Sequence, residues 1–407
     1  VATLRKKGIP VAIGHAAENI MGADLIIYTV AIAADNPERL AAQAQGIPQM
    51  ERAVLLGQLM EGYDRAIGVC GAHGKTTTSS MLAQVLLDTG MDPTVHIGGQ
   101  YDGIGGSTRI GNTHTFLAEA CEFNASFLHM HPTMAVVLNI DADHLDFYRD
   151  IEHIAETFAK FISLLPEDGV VVGYGDDARV RNLMAHAHCK TVSYGLEADN
   201  DWHTTDLTYD ATGHGHFIAT YHDQPMAKIE LQVPGSFNVL NAMASLAAAH
   251  TLGADVSQAA QALCHFSGVH RRFEQTGEVE GVLFYHDYGH NPTEMHNALS
   301  VAKMQPHRKL WAVMQPHTYS RVKRLFADYI HCCDSADEIL ITDIYAAREK
   351  DPGDINANML VQAIEKTGQS VHYTPNFADT EAYLRAHWQP GDLVLTMGCG
   401  NINVLND

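Results

Sequence analysis

A chain of 407 residues exceeds what one ordinary core organises, because single cores stop growing at about 250–300 residues, so two or three domains are expected. Its 46% hydrophobic and 18% charged residues are the composition of a soluble globular protein, and no apolar run approaches the roughly 20 residues of a membrane span. A formal charge of -22, with only 26 Lys and Arg spread along the chain, argues against nucleic acid as a partner, which would need clustered cations.

In chain order, the first segment reads as alternating strand and helix: strands at 10–15 (PVAIGH) and 23–32 (ADLIIYTVAI), then a helix from Asn36, ending near Tyr63. From Arg65 a short apolar strand enters a glycine loop, and 76–90 continues as an amphipathic helix closed by Gly90. Buried strands follow at 114–120 and 133–140, each ending in polar residues, which is where an open parallel sheet places its chemistry. Residues 190–233 alternate as strands, and a helix begins within 233–250. From Arg271 a further series of strands (EGVLFYHDY, KLWAVMQPH, DEILITDIY, DLVLTMGCG) alternates with helical segments, the pattern of a doubly wound parallel sheet. Domain boundaries are expected near residues 62 and 270. Seven cysteines without a C-x-x-C pair fit a reducing cytosol and give no zinc or redox motif.

The stretch 68–78, GVCGAHGKTTT, carries the chemistry most plainly. The usual phosphate loop is G-x-x-x-x-G-K-[ST], and here Val69 stands where its first glycine belongs. Gly71, Gly74, Lys75 and Thr76 still supply what phosphate binding needs: exposed backbone N–H groups, a helix N-terminus, a cation and a hydroxyl for Mg²⁺. Glu119 and Glu122 follow one strand, and Asp141, Asp143, His144 and Asp146 follow the next; beside a phosphate loop they are candidate Mg²⁺ ligands, and elsewhere they would be solvated loop residues. Arg271 and Arg272 could meet a phosphate or a carboxylate, or form a surface pair. His290 and His317 read equally as cleft contacts or helix-start capping groups.

These stretches together resemble the Mur ligases, over nearly the whole chain: DNPE (35–38), GAHGKTTT (71–78), EACEFNASFL (119–128), NIDADHLDFY (139–148), VPGSFNVLNA (233–242), GVHRRFE (268–274), DYGHNPTE (287–294), QPHTYSR (315–321) and DIYAARE (343–349). The loop alone indicates the superfamily; the last three stretches are more selective. The family's short G-x-x-G-K-T form accounts for the displaced glycine.

The resemblance implies a three-domain α/β architecture. A Rossmann-like N-terminal domain for the UDP substrate would be at 1–62, a central P-loop ATPase domain with a parallel sheet and a small β portion at 63–270, and a C-terminal Rossmann-like domain receiving the amino acid at 271–407. It implies a cytoplasmic enzyme that uses ATP and Mg²⁺, or Mn²⁺ in its place, to join L-alanine to the lactyl carboxylate of UDP-N-acetylmuramate through an acyl phosphate. Gly71, Ala72, His73, Gly74, Lys75, Thr76 and Thr77 would cradle the phosphates, with Thr76, Glu119 and His144 around the metal. Asn238 and Asn241 would face adenine, Asp287 the ribose, and Arg272 the γ-phosphate from the third domain. Tyr288, His290, His317 and Arg321 would surround the incoming L-alanine, Arg321 as carboxylate partner. Lys75, His144, Arg272, His290 and Arg321 form the implied catalytic set.

The chain departs from the family pattern at several places. Phe237 stands where His is usual, Asn291 where a second His is common, Thr318 where some members have Arg, and His286 where Asp is frequent. The position of the carbamylated lysine of some relatives falls at Phe158, with Lys160 close by. The family's first domain opens on a glycine-rich loop that grips the UDP diphosphate, and none precedes Asp35, so roughly 50 residues are expected ahead of Val1. Two other readings remain from the residues: a related ligase taking another amino acid or a murein peptide, and a nucleotide-binding module without catalysis. A GTPase is disfavoured by the absence of an N-K-x-D element.

Overall fold

The computed structural model describes residues 1–144 and 147–406, so Asp146 of the third cluster lies outside the described residues. Among these residues the strands form three sheets, of two, ten and six strands.

The N-terminal portion carries two short parallel strands, Ile26–Tyr28 and Gln49–Glu51. The strand expected at 10–15 does not form, and the one at 23–32 contracts to three residues. Ile13 and Val30 are exposed there, so neither stretch has a continuous apolar face to bury. The DNPE stretch is a helix start. Asn36 accepts from Glu38 N and Pro37 sits at the first helical position of Pro37–Gln45, where its missing N–H costs no intrahelical bond.

The ten-stranded sheet runs, edge to edge, Gln224–Pro234, His214–Tyr221, Trp202–Tyr209, Lys190–Tyr194, Val170–Tyr174, Met134–Val137, Arg65–Cys70, Thr115–Glu119, Thr94–Tyr101 and Gly106–Arg109. Its middle is parallel and its edges are antiparallel. Alternation along Arg65–Cys70 sends Ile67 and Val69 into one core, with helices Lys75–Asp88 and Ser236–Thr251, and Ala66 and Cys70 into the other, with helix Ile151–Ile162. A sheet covered on both faces reads in sequence as an unbroken apolar run, as RAIGVC does. The register sets Val69 opposite Glu119 and Cys70 opposite Val137. The glycine loop therefore leaves the sheet between the two polar strand ends.

In the six-stranded sheet the order is Glu274–Val279, Val282–Asp287, Leu393–Met397, Leu310–Met314, Glu338–Ile341 and Val371–Tyr373, antiparallel at the first pair and parallel beyond it. The last strand lies between the second and third, so the chain turns outward in opposite directions on either side of it. That reversal opens a crevice at the strands' carboxyl ends, where the turns after Asp287, Met314 and Met397 are tied by Gly398 N to Asp287 O (3.1 Å) and Gln315 N to Met397 O (3.0 Å).

Candidate active site at the junction of two sheets

Gly71 and Gly74 have positive φ of 147° and 83°. A Cβ on Gly71 would lie 2.9 Å from Leu138 Cβ, and one on Gly74 2.8 Å from Asn241 Oδ1, so both positions exclude side chains by space as well as by backbone conformation. His73 N donates to Asn139 Oδ1 and Asn139 Nδ2 donates back to His73 O, bolting the loop to the neighbouring strand end.

Lys75 curls back over this loop. Its Nζ donates to Gly71 O (2.5 Å), Ala72 O (3.0 Å) and Glu122 Oε1 (3.0 Å). Burial works against the ammonium, but Glu122, only 3% exposed, holds its pKa well above the ordinary value. Glu122 Oε2 lies 2.9 Å from Nζ as an ion pair yet lacks hydrogen-bond geometry, and His144 Nε2 is 3.7 Å from the other oxygen. A buried carboxylate oxygen with unused acceptor capacity is suited to a cation or a bound water.

Thr76 Oγ1 donates to Glu119 Oε2 at 3.0 Å. The arrangement of Thr76, Glu119 and Glu122 offers hard oxygen donors beside the loop, and these fit a Mg²⁺ ion. His144 stands at the edge of this group in a left-handed conformation (φ 49°) with its ring against Phe123. Phe158 is fully buried against Phe127 and Lys160 is exposed, so neither brings an amine to the loop.

A cavity of about 780 Å³ opens beside the loop, within the range that holds a nucleotide. His73, Gly74, Thr76, Thr77, Asn238, Asn241, Arg272 and Asp287 line it; the mostly buried Gly71 and Ala72 lie behind. Asn241 Oδ1 accepts from Thr78 Oγ1 and its Nδ2 donates to Asn238 Oδ1, while Asn238 Nδ2 donates to Pro234 O. The two asparagines thus also lock helix Ser236–Thr251 to the helix that follows the loop. Phe237 lines the same cavity.

The structure separates the two adjacent arginines. Arg271, strained at φ 64°, donates to His286 Nε2 and to the carbonyls of Gly398 and Gly400. His286 is 1% exposed, donates from Nδ1 toward Thr396, and is pushed down to about 4 by burial and by Arg271. These two are a structural joint. Arg272 instead lines the cavity, while both guanidiniums lie over the Tyr288 ring, at 4.8 Å for Arg271 and 4.9 Å for Arg272. Asp287 accepts from Phe273 N and Gly289 N; burial raises its carboxyl against the pull of Arg272.

His290, His317 and Arg321 converge in the crevice of the second large sheet. The imidazole centroids are 5.3 Å apart, and the ligand atoms of His290, His317 and Cys399 lie within 4.8 Å of one another. Arg321 Nη1 donates to His317 Nδ1 (3.1 Å), which fixes that nitrogen as the unprotonated one, while His290 Nδ1 faces Tyr288 O and Glu294 Oε2. Burial holds both imidazoles below their ordinary value, with His317 down to about 3, lowered further by His290 and Arg321. Arg321 Nη2 also donates to Asp143 Oδ1 at 3.2 Å, joining the two sheets' clusters.

Asn291 caps helix Pro292–Met304 through Glu294 N. Thr318, in a left-handed conformation, precedes helix Tyr319–Arg324. Residues assigned no role from the sequence include Asn139, Glu294 and Cys399, and Asp143, a candidate Mg²⁺ ligand by sequence, instead accepts from Arg321. Glu294 stands three positions past the Asn291 cap, a spacing that by itself signals only capping.

Comparison with known proteins places the whole chain. The Mur ligase middle domain matches residues 69–249, the Mur ligase glutamate ligase domain 271–400, and the Mur ligase family catalytic domain 1–64. The UDP-N-acetylmuramate–L-alanine ligase of Acetivibrio thermocellus is 44% identical over 400 residues, covering 98% of this chain and 85% of that protein. That of Caldanaerobacter subterraneus subsp. tengcongensis is 45% identical over 402 residues, covering 99% and 87%. Among solved structures, UDP-N-acetylmuramate–alanine ligase MurC of Thermotoga maritima superposes with a TM-score of 0.84 at 26% identity over 100% of this chain and 88% of that one. A murein peptide ligase of Psychrobacter arcticus shares the fold, with a TM-score of 0.75 at 21% identity over 99% and 89%. The domain matches and the identity over nearly the whole chain agree, and the chain belongs to the Mur ligase family.

Proposed function

We propose that this chain joins L-alanine to the lactyl carboxylate of UDP-N-acetylmuramate, consuming ATP and releasing ADP and phosphate, in the cytoplasm. The supporting observation is the 3.2 Å contact between Arg321 and Asp143, which ties the His290–His317–Arg321 crevice to the strand end beside the phosphate loop. Among the described residues no helix is long and apolar enough to cross a membrane.

A carboxylate resists attack by an amine because its oxygen is a poor leaving group. Transfer of the γ-phosphoryl group to a carboxylate oxygen breaks the bond to the β–γ bridging oxygen and creates an acyl phosphate. The alanine amine then attacks the acyl carbon, the tetrahedral intermediate expels phosphate, and the nitrogen gives up a proton. Lys75 and the amides of 71–77 hold the β- and γ-phosphates, and Arg272 reaches the moving phosphoryl from the other sheet. Mg²⁺ held by the oxygens of Thr76, Glu119 and Glu122, with His144 at their edge, would neutralise phosphate charge. Asn238 and Asn241 border the adenine end and Asp287 the ribose. Arg321 takes the alanine carboxylate, Tyr288 and His317 shape the pocket, and His290, neutral with Nδ1 engaged, offers Nε2 to the amine's proton.

We place the functional boundaries near residues 62 and 270, which leaves the nucleotide cavity between the central and C-terminal units. Formation of UDP-N-acetylmuramoyl-L-alanine, followed by mass spectrometry with parallel phosphate release, tests the reading over an amino-acid panel. No preference for L-alanine overturns the specificity. Nucleotide binding without product leaves only a binding module.

A further inference from the structure

Glu294 touches both halves of the site. It occupies the third helical position of Pro292–Met304, and its Oε2 accepts from His290 N at 3.1 Å, one residue before the cap Asn291, a reach-back close to that of a capping glutamate. Capping leaves Oε1 unaccounted for. That oxygen faces His73 Nδ1 at 3.4 Å, a residue 221 positions away on the phosphate loop. The other nitrogen of the same ring, Nε2, faces Asp141 Oδ2 at 3.1 Å. A carboxylate can only accept, so an imidazole with a carboxylate at each nitrogen carries both protons and a positive charge. Against burial, Asp141 and Glu294 push His73 up to about 10, and His290 and His73 hold Glu294 well below the usual carboxylate range. Asp143, Asp287, Arg272 and Arg321 are further charges facing this pair.

The contact is also sterically confined. A Cβ on Gly289 would come within 3.0 Å of Glu294 Cβ, so the turn after Asp287 presses on the glutamate and fixes its stem. The stem's own helix is continuous with the crevice that holds His290.

We propose that Glu294 is a positioning residue that latches the C-terminal unit onto the phosphate loop through His73 and reports that closure to His290 in the amino-acid crevice. The proposal deepens the ligase reading and rests on it. The latch has a direct chemical consequence: the cavity's Arg272 and the crevice's His290 reach the loop only when Glu294 meets His73, so phosphoryl transfer waits for the closed form.

The test is a double-mutant cycle with Glu294→Gln and His73→Gln in the full chain. Glu294→Gln retains an oxygen to cap the helix, and His73→Gln caps nothing, so loss of folding does not obscure the outcome. Each single variant is expected to lower kcat about tenfold with KM for ATP altered less than about threefold, and the double variant to lower it by about the same tenfold relative to the wild type, well short of the roughly hundredfold of independent sites. Small-angle scattering with ADP is expected to show compaction in the wild type that both variants lose. Multiplicative losses, or compaction unchanged in both variants, overturn the latch and leave Glu294 a cap. A wild type that compacts with ADP but makes no ligation product overturns the ligase reading and leaves the latch standing.

Discussion

Thr76 Oγ1 and Gly98 N both donate to one oxygen of Glu119, at 3.0 and 2.8 Å. The carboxylate is thereby aimed at the phosphate loop from a neighbouring strand, and Gly98 is the position that lets it approach. A Cβ there would lie 2.8 Å from Glu119 Oε2 and 2.9 Å from Oε1. Gly98→Ala is expected to displace the carboxylate and weaken apparent Mg²⁺ affinity by about tenfold or more, the usual effect of disturbing a ligand's support. Metal titration of activity, beside metal-free nucleotide binding, checks this; equal metal dependence in both proteins contradicts the assignment of Glu119.

Lys75, 12% exposed, pairs with the buried Glu122. Lys75→Ala leaves the Glu122 carboxylate without its cation, which is expected to cost about 3 kcal/mol of stability in addition to nucleotide binding. Adding Glu122→Gln should restore most of the stability and none of the turnover. Chemical unfolding and phosphate release measured on the same three proteins separate the two effects; a double variant as unstable as Lys75→Ala refutes the pairing.

Arg321 holds His317 with one nitrogen and Asp143 with another. A lysine keeps the charge but loses the fork that would grip a carboxylate. Arg321→Lys is therefore expected to raise KM for L-alanine about tenfold or more while leaving ADP affinity within about twofold. Steady-state kinetics over alanine concentration with ADP titration provide the check, and an unchanged alanine KM removes Arg321 from the amino-acid pocket.

Two histidines should shape the pH dependence of stability in opposite directions. His317 is held at about 3 against an ordinary 6.5, so between those values the unfolded chain binds a proton that the folded one refuses, and stability falls as pH falls through that window. His73 is raised to about 10, so its contribution is complete below pH 6.5 and is lost as pH rises toward 10. His317→Asn should flatten the acid limb of a Tm–pH curve and His73→Gln the alkaline limb. Curves that stay parallel to the wild type on those limbs count against the respective environments.

Periodicity located the strands that matter most, since RAIGVC, 114–120 and 133–140 became the three adjacent strands around the loop. It failed at 10–15 and missed Thr94–Tyr101 and Val170–Tyr174 within the ten-stranded sheet, as well as the short edge strand Val371–Tyr373, which depends on pairing and carries little hydrophobic pattern of its own. The phosphate-loop residues were legible because glycine, lysine and threonine act there through local backbone geometry. The division of labour between Arg271 and Arg272 was not legible. One turns to His286 and two distant carbonyls, the other to the cavity, and adjacent positions of identical type give no local sign of this.

By itself the sequence determined the chemistry available: a shortened phosphate loop, acids at two strand ends, and, far along the chain, a histidine at 290 and a histidine–arginine pair at 317 and 321, each legible within a few residues. Tertiary structure decided which of these meet. The 3.4 Å approach of Glu294 to His73 and the 3.2 Å approach of Arg321 to Asp143 join segments 221 and 178 residues apart. Such contacts depend on how two separately wound sheets pack at their carboxyl ends, a long-range outcome that no local spacing encodes.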